Sequence, residues 1–287
     1  MMSETMSETL PTHRKISDEQ FVFLSKYLSS KYGLRIPPEK RILLESRLIS
    51  RLNQLKLESI TEYLDYVFKS KEGHHEYQLF VEQITTHKTF FFRERYQFEF
   101  LGKLLGDYIK KVGMNHVVNV WSAGCSTGEE VYTLGMVLNE KRLELPQLDF
   151  RITGTDVSIP SLKKAAKGLY SILDGENITE HLKAKYFTSQ MTNHGPMIHF
   201  NNRDVVSKIR LGVLNLNKKQ YNLPNTYDFI FCRNVIIYFD AKTRNEVLER
   251  MVDRLRPGGY LFLGHSETAL GTTLPLKSIQ PTIYQKI

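Results

Sequence analysis

The segment Val117–Glu130, VVNVWSAGCSTGEE, holds the residues best suited to ligand chemistry. Its apolar start breaks into Gly, Ser and Thr, and two acids, Glu129 and Glu130, follow at once. This order predicts a buried strand, a tight turn in which Gly124 and Gly128 let a ligand approach the backbone, and the start of a helix. Neither the G-x-G-x-x-G pattern nor the Lys of a phosphate loop is present. Acids at a helix start favour a ligand that offers amines or hydroxyls, although the two acids could merely complement the helix dipole.

Another acidic residue is predicted at the end of the next strand. Leu148, Phe150 and Ile152 alternate as strand residues do, and the sequence TGTDVS places Asp156 at the C-terminal tip. An acid in that position, after a Gly-rich first turn, is where doubly wound folds bind ribose hydroxyls. Alternatively, Asp156 caps the helix that begins near Ser158.

Two further strand candidates also end in polar residues. The strand around residues 209–213 runs into Asn215, and the strand that starts near Tyr227 is followed by Arg233 and Asn234. Polar groups thus collect where strands stop. That is the expected place for a ligand site in an open α/β sheet.

Six segments resemble, in their order along the chain, those of the CheR-type chemotaxis receptor methyltransferases. They are TTHKTFFFRE, WSAGCSTGEE, TGTDVS, NLNKKQYNLP, FCRNVIIYFD and RPGGYLFLGHSE. The resemblance extends over residues 16–284 and implies S-adenosylmethionine as methyl donor, with S-adenosylhomocysteine as product. It implies glutamate carboxylates on chemoreceptor cytoplasmic helices as acceptors. The alternatives are a methyltransferase acting on another protein, RNA or a small molecule, and a non-catalytic binding module.

The resemblance also assigns roles to individual residues. Cofactor contacts are implied for a set spread over the loops: His87, Thr89, Arg93, Glu130, Asp156, Asn215, Leu216, Cys232 and Arg233. Arg93 and Tyr238 are implied as catalytic residues. Arg93 would form a forked contact with a carboxylate, either the cofactor's own or the substrate's, and the Tyr238 hydroxyl would orient the attacking glutamate. His87 departs from the family, which usually has a small amide-like residue there. No metal ligand is expected.

The expected fold class is α/β, a doubly wound Rossmann-like methyltransferase sheet with a small β-hairpin insertion, preceded by an all-α domain. We expect a disordered tail over residues 1–15, helices over 16–87, and the methyltransferase domain over 88–287 with its insertion at about 187–206. The helical part shows apolar residues at helical spacing, a capping box from Ser17 to Gln20, and Pro37 and Pro38 opening a second helix. The apolar face predicted for that second helix consists of Ile42, Leu43, Leu48, Leu52 and Leu55.

The second helix also carries Arg47 and Arg51, which are four residues apart and therefore share a face. We predict from the resemblance that this pair docks acidic receptor helices. An ordinary solvated face is the alternative, since Glu39 and Glu45 lie on the same segment.

Composition bounds the remaining classes. Nearly all of the formal charge of +8 lies in residues 91–287, where 26 Lys and Arg face 19 Asp and Glu in scattered groups, so no nucleic-acid partner is expected. No apolar run approaches the roughly 18 residues of a membrane span. Cys125 and Cys232 show neither metal spacing nor a disulfide framework. We expect a cytoplasmic monomer without membrane insertion.

Overall fold

The computed structural model describes residues 14–85, 88–113, 115–193, 195–224 and 226–287. The chain divides into two compact units, residues 1–86 and 87–287. Nearly all of the predicted disordered tail, and the predicted cofactor residue His87, lie outside the described residues. No helix in the described ranges has both the length and the apolar character needed to cross a bilayer.

The described part of the first unit contains four α-helices. They are α1 (Asp18–Tyr32), α2 (Arg41–Leu55), α3 (Ile60–Lys69) and α4 (Gly73–Ile84). The Ser17 hydroxyl accepts from the Gln20 backbone and the Gln20 side chain accepts from the Ser17 backbone, which confirms the capping box. A short 3₁₀ turn at Pro38–Lys40 leads into α2, because proline needs no N–H partner at a helix start.

The apolar face of α2 differs from the prediction at its start. Leu44, Leu48 and Leu52 are buried at four-residue spacing. Ile42 and Leu43 are 77% and 47% exposed. Their assignment to the buried face is wrong. Residues four apart lie on one side of a helix, and in the first turn of α2 the residue on that side is Leu44.

Arg51 is not part of an exposed basic face. Its guanidinium donates to both carboxylate oxygens of Glu76, at 2.8 and 2.6 Å, and its side chain is only 12% exposed. The Tyr63 hydroxyl donates to the same carboxylate at 2.9 Å. Arg47 donates to the Ile84 carbonyl oxygen at 2.8 Å. Both arginines therefore tie α2 to α4, and the docking role given to them stays a prediction.

The second unit alternates helices and strands. In chain order it contains α5 (Arg95–Val112), β1 (Val117–Ala123), α6 (Glu129–Glu144), β2 (Asp149–Asp156), α7 (Ile159–Lys167), β3 (Leu169–Ser171), α8 (Glu180–Tyr186), β4 (Phe187–Thr192), β5 (Gly195–Phe200), α9 (Arg203–Ser207), β6 (Ile209–Val213), β7 (Tyr227–Cys232), α10 (Ala241–Arg254), β8 (Leu255–Leu263), β9 (Leu276–Gln280) and β10 (Ile283–Lys286).

A seven-stranded sheet with the order β6-β2-β1-β7-β8-β10-β9 forms the centre of this unit. The first five strands are parallel, and β9 and β10 add an antiparallel hairpin that the sequence analysis did not predict. The predicted doubly wound class is confirmed. Because β2, β1, β7 and β8 are parallel neighbours, the loops after their C-terminal ends meet along one edge of the sheet.

Helices cover both faces of the sheet. Phe98 and Leu101 of α5 pack in one buried cluster with Val120 of β1. On the opposite face, Met251 of α10 belongs to a cluster with Trp121 of β1. Alternate residues of one strand thus face different helices, as the pleat requires.

The inserted subdomain is a three-stranded antiparallel sheet with the order β3-β5-β4. The range of about 187–206 predicted for it contains β4 and β5. The sheet also includes β3, whose Leu169 pairs with His199 and whose Ser171 pairs with Met197. A strand of three residues is too short to show an alternation in the sequence.

Gly124 and Gly128 are required by protein packing, and their role in letting a ligand approach the backbone stays a prediction. Both have positive φ, +82° and +97°. A Cβ on Gly124 would lie 2.5 Å from Cγ2 of Val235, and one on Gly128 would lie 2.8 Å from Cβ of Ala165 and 2.9 Å from the Tyr170 hydroxyl. The predicted turn is present, and packing alone already excludes a side chain at both positions.

Arg51→Ala should loosen the first unit, since it leaves the buried Glu76 carboxylate without its cation. Breaking a buried pair costs about 3–5 kcal/mol, so the amides of α2 and α4 should exchange roughly 10²- to 10⁴-fold faster in hydrogen-exchange mass spectrometry. Lys69→Ala is the matched control, because its pair with Asp65 is exposed and worth about 0–1 kcal/mol. Equal exchange in the two variants would contradict the role given to Arg51.

Gly124→Ala should destabilise the second unit by about 1–2 kcal/mol for the left-handed backbone, with a further loss from the clash with Val235. Val235→Ala removes the clashing methyl, so the double variant should regain the steric part. Urea unfolding followed by the fluorescence of Trp121, the single tryptophan, measures this coupling. Gly212→Ala is the control, because its Cβ would meet nothing within 4 Å. Strict additivity would show that the close approach costs nothing.

Candidate active site

Backbone strain marks the loops at the C-terminal edge of the sheet. Six residues other than glycine have positive φ among those that the structure describes, and four of them lie in these loops or in the turn before α5: Phe92, Glu94, Ser126 and Asn234. Left-handed conformations of such residues persist where the surrounding contacts hold them, often at functional sites. The strain therefore directs attention to the side chains that hold these loops.

Asp156 holds the loop after β1. Its Oδ2 accepts from the Ser126 N–H at 2.8 Å, its Oδ1 accepts from the Ser158 N–H at 2.9 Å, and the residue is 6% exposed. The helix α7 is capped by the Ser158 hydroxyl, which accepts from the Ser161 N–H. Asp156 is thus not the cap of that helix, although it fixes the residue that is. A carboxylate has about four acceptor positions, so capacity for ligand hydroxyls remains.

Arg233 is the cation at the centre of the loops, and its side chain is 2% exposed. Its terminal nitrogens lie 3.2 Å from Glu130 and 3.6 Å from Glu94. The guanidinium also donates to the Arg93 carbonyl oxygen and lies 5.1 Å from the centre of the Phe98 ring. These contacts join the end of β7 to the start of α6 and to the turn before α5.

Glu130 and Glu129 have different hydrogen-bond partners, although both follow the same turn. Glu130 accepts from the Ser122 hydroxyl at 2.6 Å as well as from Arg233, so it connects α6 to β1 and β7. Glu129 accepts from the Thr127 hydroxyl within its own turn. Burial raises the pKa of Glu130, and the charge of Arg233 opposes that rise most strongly. Burial likewise raises the pKa of Glu129.

Arg93 and Thr89 lie in the segment before α5. Arg93 is half-buried, donates to the Lys88 carbonyl oxygen at 2.8 Å and lies 5.7 Å from the centre of the Phe90 ring. Its charge also lowers the pKa of Glu130, so the two side chains share one electrostatic environment. Thr89 is half-buried, beside the exposed Phe90.

Three of the predicted cofactor residues differ in what they can present to a ligand. Asn215 is half-buried, and its side chain accepts from the Asn217 backbone. Leu216 and Cys232 are buried in the cluster on the α10 face of the sheet, so their side chains belong to the core. Burial raises the pKa of the Cys232 thiol well above its usual value, which makes it unreactive. Both residues therefore have only backbone atoms to offer.

Four further residues that complete the site were not predicted from the sequence: Glu94, Ser122, Ser126 and Glu267. Glu267, after the end of β8, accepts from four backbone N–H groups. It lies in the motif RPGGYLFLGHSE, where its position after a strand end was the available signal. Tyr238, the predicted catalytic residue, is half-buried in a 3₁₀ turn, Ile236–Tyr238, held between β7 and α10.

The polar groups of the site fit S-adenosylmethionine. Asp156 and Glu130 are acceptors suited to the hydroxyls and the ammonium group that this cofactor carries. Nε of Arg233 and Oδ1 of Asn234 are buried without a hydrogen-bond partner in the protein. Since buried polar atoms are nearly always paired, a ligand with donors and acceptors would complete the site.

Comparison with known proteins places both units. The family described as "CheR methyltransferase, SAM binding domain" matches residues 87–284, and "CheR methyltransferase, all-alpha domain" matches residues 19–85. A chemotaxis protein methyltransferase of Borreliella burgdorferi is 35% identical over 94% of this chain and 95% of its own length. That of Escherichia coli is 34% identical over 88% and 85%, and chemotaxis protein methyltransferase 2 of Pseudomonas aeruginosa is 34% identical over 93% and 92%. The chain belongs to the CheR methyltransferase family and is an S-adenosylmethionine-dependent methyltransferase.

Proposed function

We propose that the chain transfers the methyl group of S-adenosylmethionine to glutamate side chains on the cytoplasmic helices of chemoreceptors, giving methyl esters. The observation that carries this is the match of both units to proteins named chemotaxis protein methyltransferase over nearly their whole length. We also propose that the enzyme acts in the cytoplasm, since the substrate helices are the cytoplasmic parts of the receptors, and that it acts as a monomer without nucleic acid.

The chemistry of this transfer explains the kind of site that is present. The cofactor supplies a methyl group bonded to a positively charged sulfur. When a carboxylate oxygen forms the new bond to the methyl carbon, the carbon–sulfur bond breaks and the sulfur leaves as a neutral thioether. Glutamate has a reference pKa of about 4.3, so the nucleophile is already ionised at pH 7. The protein therefore needs no general base and has to hold oxygen, carbon and sulfur in line. Such positioning can account for roughly 7–11 kcal/mol of a barrier.

Within this proposal, Asp156 accepts from the ribose hydroxyls and Glu130 accepts from the ammonium group of the cofactor. Backbone atoms of Asn215 and Leu216 border the adenine, since the Leu216 side chain is buried in the core. Arg233 acts through Glu130 and Glu94, because its terminal N–H groups already face protein acceptors.

The remaining cofactor contacts come from the segment before α5 and from the end of β7. His87 and Thr89 border the cofactor from the segment before α5, and Cys232 contributes its backbone. Arg93 and Tyr238 are the residues proposed to meet the incoming glutamate.

Incubation with radiolabelled cofactor and receptor-containing membranes tests the function directly. Methyl groups on receptor glutamates should be released by mild alkali as methanol, because esters hydrolyse there and N-methyl groups do not. Label that resists alkali, or that appears in RNA, would contradict the proposal.

Asp156→Ala should weaken the binding of cofactor and product about 10- to 100-fold, since a hydrogen bond to a charged group is worth about 1.5–3 kcal/mol. Isothermal titration calorimetry measures both affinities. Asp149→Ala is the matched control, because Asp149 begins the same strand and pairs with Lys208 at its far end. If Asp156→Ala binds like the control variant while remaining folded, Asp156 is not a cofactor residue.

Tyr238→Phe should lower kcat while leaving cofactor affinity nearly unchanged, because its hydroxyl is proposed to orient the glutamate rather than the cofactor. Arg93→Ala should lower kcat too, and also weakens cofactor binding if its fork holds the cofactor's carboxylate. Steady-state kinetics at saturating receptor gives both turnover numbers. Tyr260→Phe, within β8, is the control for loss of a hydroxyl. A wild-type kcat in Tyr238→Phe would remove Tyr238 from the reaction.

Receptor docking by α2 is tested through Arg47, because replacing Arg51 would leave the buried Glu76 carboxylate without its cation, whereas Arg47 donates to a neutral carbonyl oxygen. Arg47→Glu should raise the KM for receptor, and the effect should shrink with salt, since exposed charges are screened beyond ~8 Å at physiological ionic strength. Titration calorimetry should show unchanged cofactor affinity. A wild-type KM at low salt would mean that α2 does not dock receptors through this residue.

A further inference from the structure

Glu267 brings two strand-end loops onto one carboxylate. Its Oε1 accepts from the N–H groups of Val235 and Ile237 at 2.8 and 3.2 Å. Its Oε2 accepts from those of Asn234 and Gly264 at 2.8 and 2.7 Å. The residue is 6% exposed, so these four donors are its solvation. The loop after β7 supplies three of them and the turn after β8 supplies the fourth.

The three donors from the first loop lie directly before Tyr238. They belong to three of the four residues 234–237, and the last of them is the immediate neighbour of Tyr238. The same segment continues into the 3₁₀ turn Ile236–Tyr238. This turn is closed by a hydrogen bond of 3.2 Å from the Tyr238 N–H to the Val235 carbonyl oxygen. The path of the backbone into Tyr238 is therefore set by the position of the Glu267 carboxylate.

This loop does not have a conformation that it would take by itself. Asn234 has a φ of +59°, which costs free energy for a residue with a Cβ. Gly264 faces it so closely that a Cβ would lie 2.7 Å from the Asn234 nitrogen and 2.8 Å from Oε2 of Glu267. Val235 in turn packs against Gly124 of the loop after β1. A shift of this segment would therefore also displace the loop after β1.

The carboxylate and the four amides need one another. Burial raises the pKa of Glu267 and the four backbone donors oppose the rise, so the ion is tolerated because it is fully solvated by N–H groups. Without an acceptor, the same N–H groups would be buried and unpaired, which is strongly unfavourable. The network is therefore favourable only when the carboxylate and all four N–H groups are paired. Such a network stabilises one conformation of the loop.

We propose that Glu267 is a positioning residue for methyl transfer, which holds the loop before Tyr238 so that the Tyr238 hydroxyl meets the incoming carboxylate. This inference rests on the proposed function, because the role of Tyr238 belongs to it. Glu267 itself touches neither substrate nor cofactor in this account and acts only through Tyr238.

The primary test is Glu267→Gln. The amide keeps one acceptor oxygen and places an NH₂ donor against two N–H groups, so part of the loop must move. The kcat per cofactor-binding site should fall about 10- to 100-fold, the scale expected for a misplacement of about 1 Å. The KM for receptor should change less than threefold, since the docking surface is untouched. Glu267→Asp keeps the charge and should recover part of the loss, and Glu99→Gln, on an exposed carboxylate of α5, should behave as wild type.

A double-mutant cycle separates positioning from general stability. In the Tyr238→Phe background, Glu267→Gln should lower kcat by less than threefold further, because the group that it positions is already absent. The full 10- to 100-fold loss in that background would overturn the proposal. A wild-type kcat in Glu267→Gln alone would overturn it as well.

Hydrogen-exchange mass spectrometry supplies a readout that needs no substrate. The segment 234–237 should lose protection in Glu267→Gln and keep it in Glu99→Gln, while α2 and α4 exchange as in wild type. Retained protection of that segment would overturn the proposal. If the wild-type enzyme labels another acceptor than receptor glutamates, the proposed function fails, and the same kcat ratios are then measured on that acceptor.

Discussion

The guanidinium of Arg233 is removed from water between two carboxylates that come from distant parts of the chain. Glu94 precedes α5 and Glu130 lies in the first turn of α6, and both lie within 4 Å of its terminal nitrogens. A buried ion pair contributes little net stability, because desolvation offsets most of the attraction, yet the loss of one partner is costly. The interaction thus makes only one arrangement of three chain segments tolerable. The remaining contacts of the site depend on that arrangement.

The left-handed residues show what this fixation holds in place. Glu94 itself has a φ of +55°, and Asn234 follows Arg233 directly with a φ of +59°. Each such residue costs about 1–2 kcal/mol relative to ordinary backbone. The charges on Arg233 and Glu267 hold the two ends of the β7 loop. The ion pairs stabilise the strained backbone, which is why the two occur together. The site is therefore preorganised.

Strand ends could be predicted from the sequence, because apolar alternation and the polar residues that stop it are local patterns. Asp156 was found this way, and the structure places it at the tip of β2 with two backbone donors. The burial of Arg51 could not be predicted, since its partner Glu76 lies 25 residues away and no local pattern joins them. Glu267 shows the same limit. A lone acid in GHSE looks like any turn residue until folding brings four N–H groups to it.

An anionic substrate has to enter a site whose own residues are largely anionic. Glu129, Glu130 and Asp156 all lie close enough to Cys125 to raise the pKa of its thiol further, after the larger effect of burial. Arg233 compensates for part of this charge but is itself enclosed. An incoming carboxylate would thus be repelled until another cation is present. In the proposed reaction that cation is the sulfonium of the bound cofactor, supported by Arg93, whose charge already acts on Glu130. The acidic loops would therefore favour a cationic cofactor, and its sulfonium, together with Arg93, would offset their repulsion of the incoming glutamate.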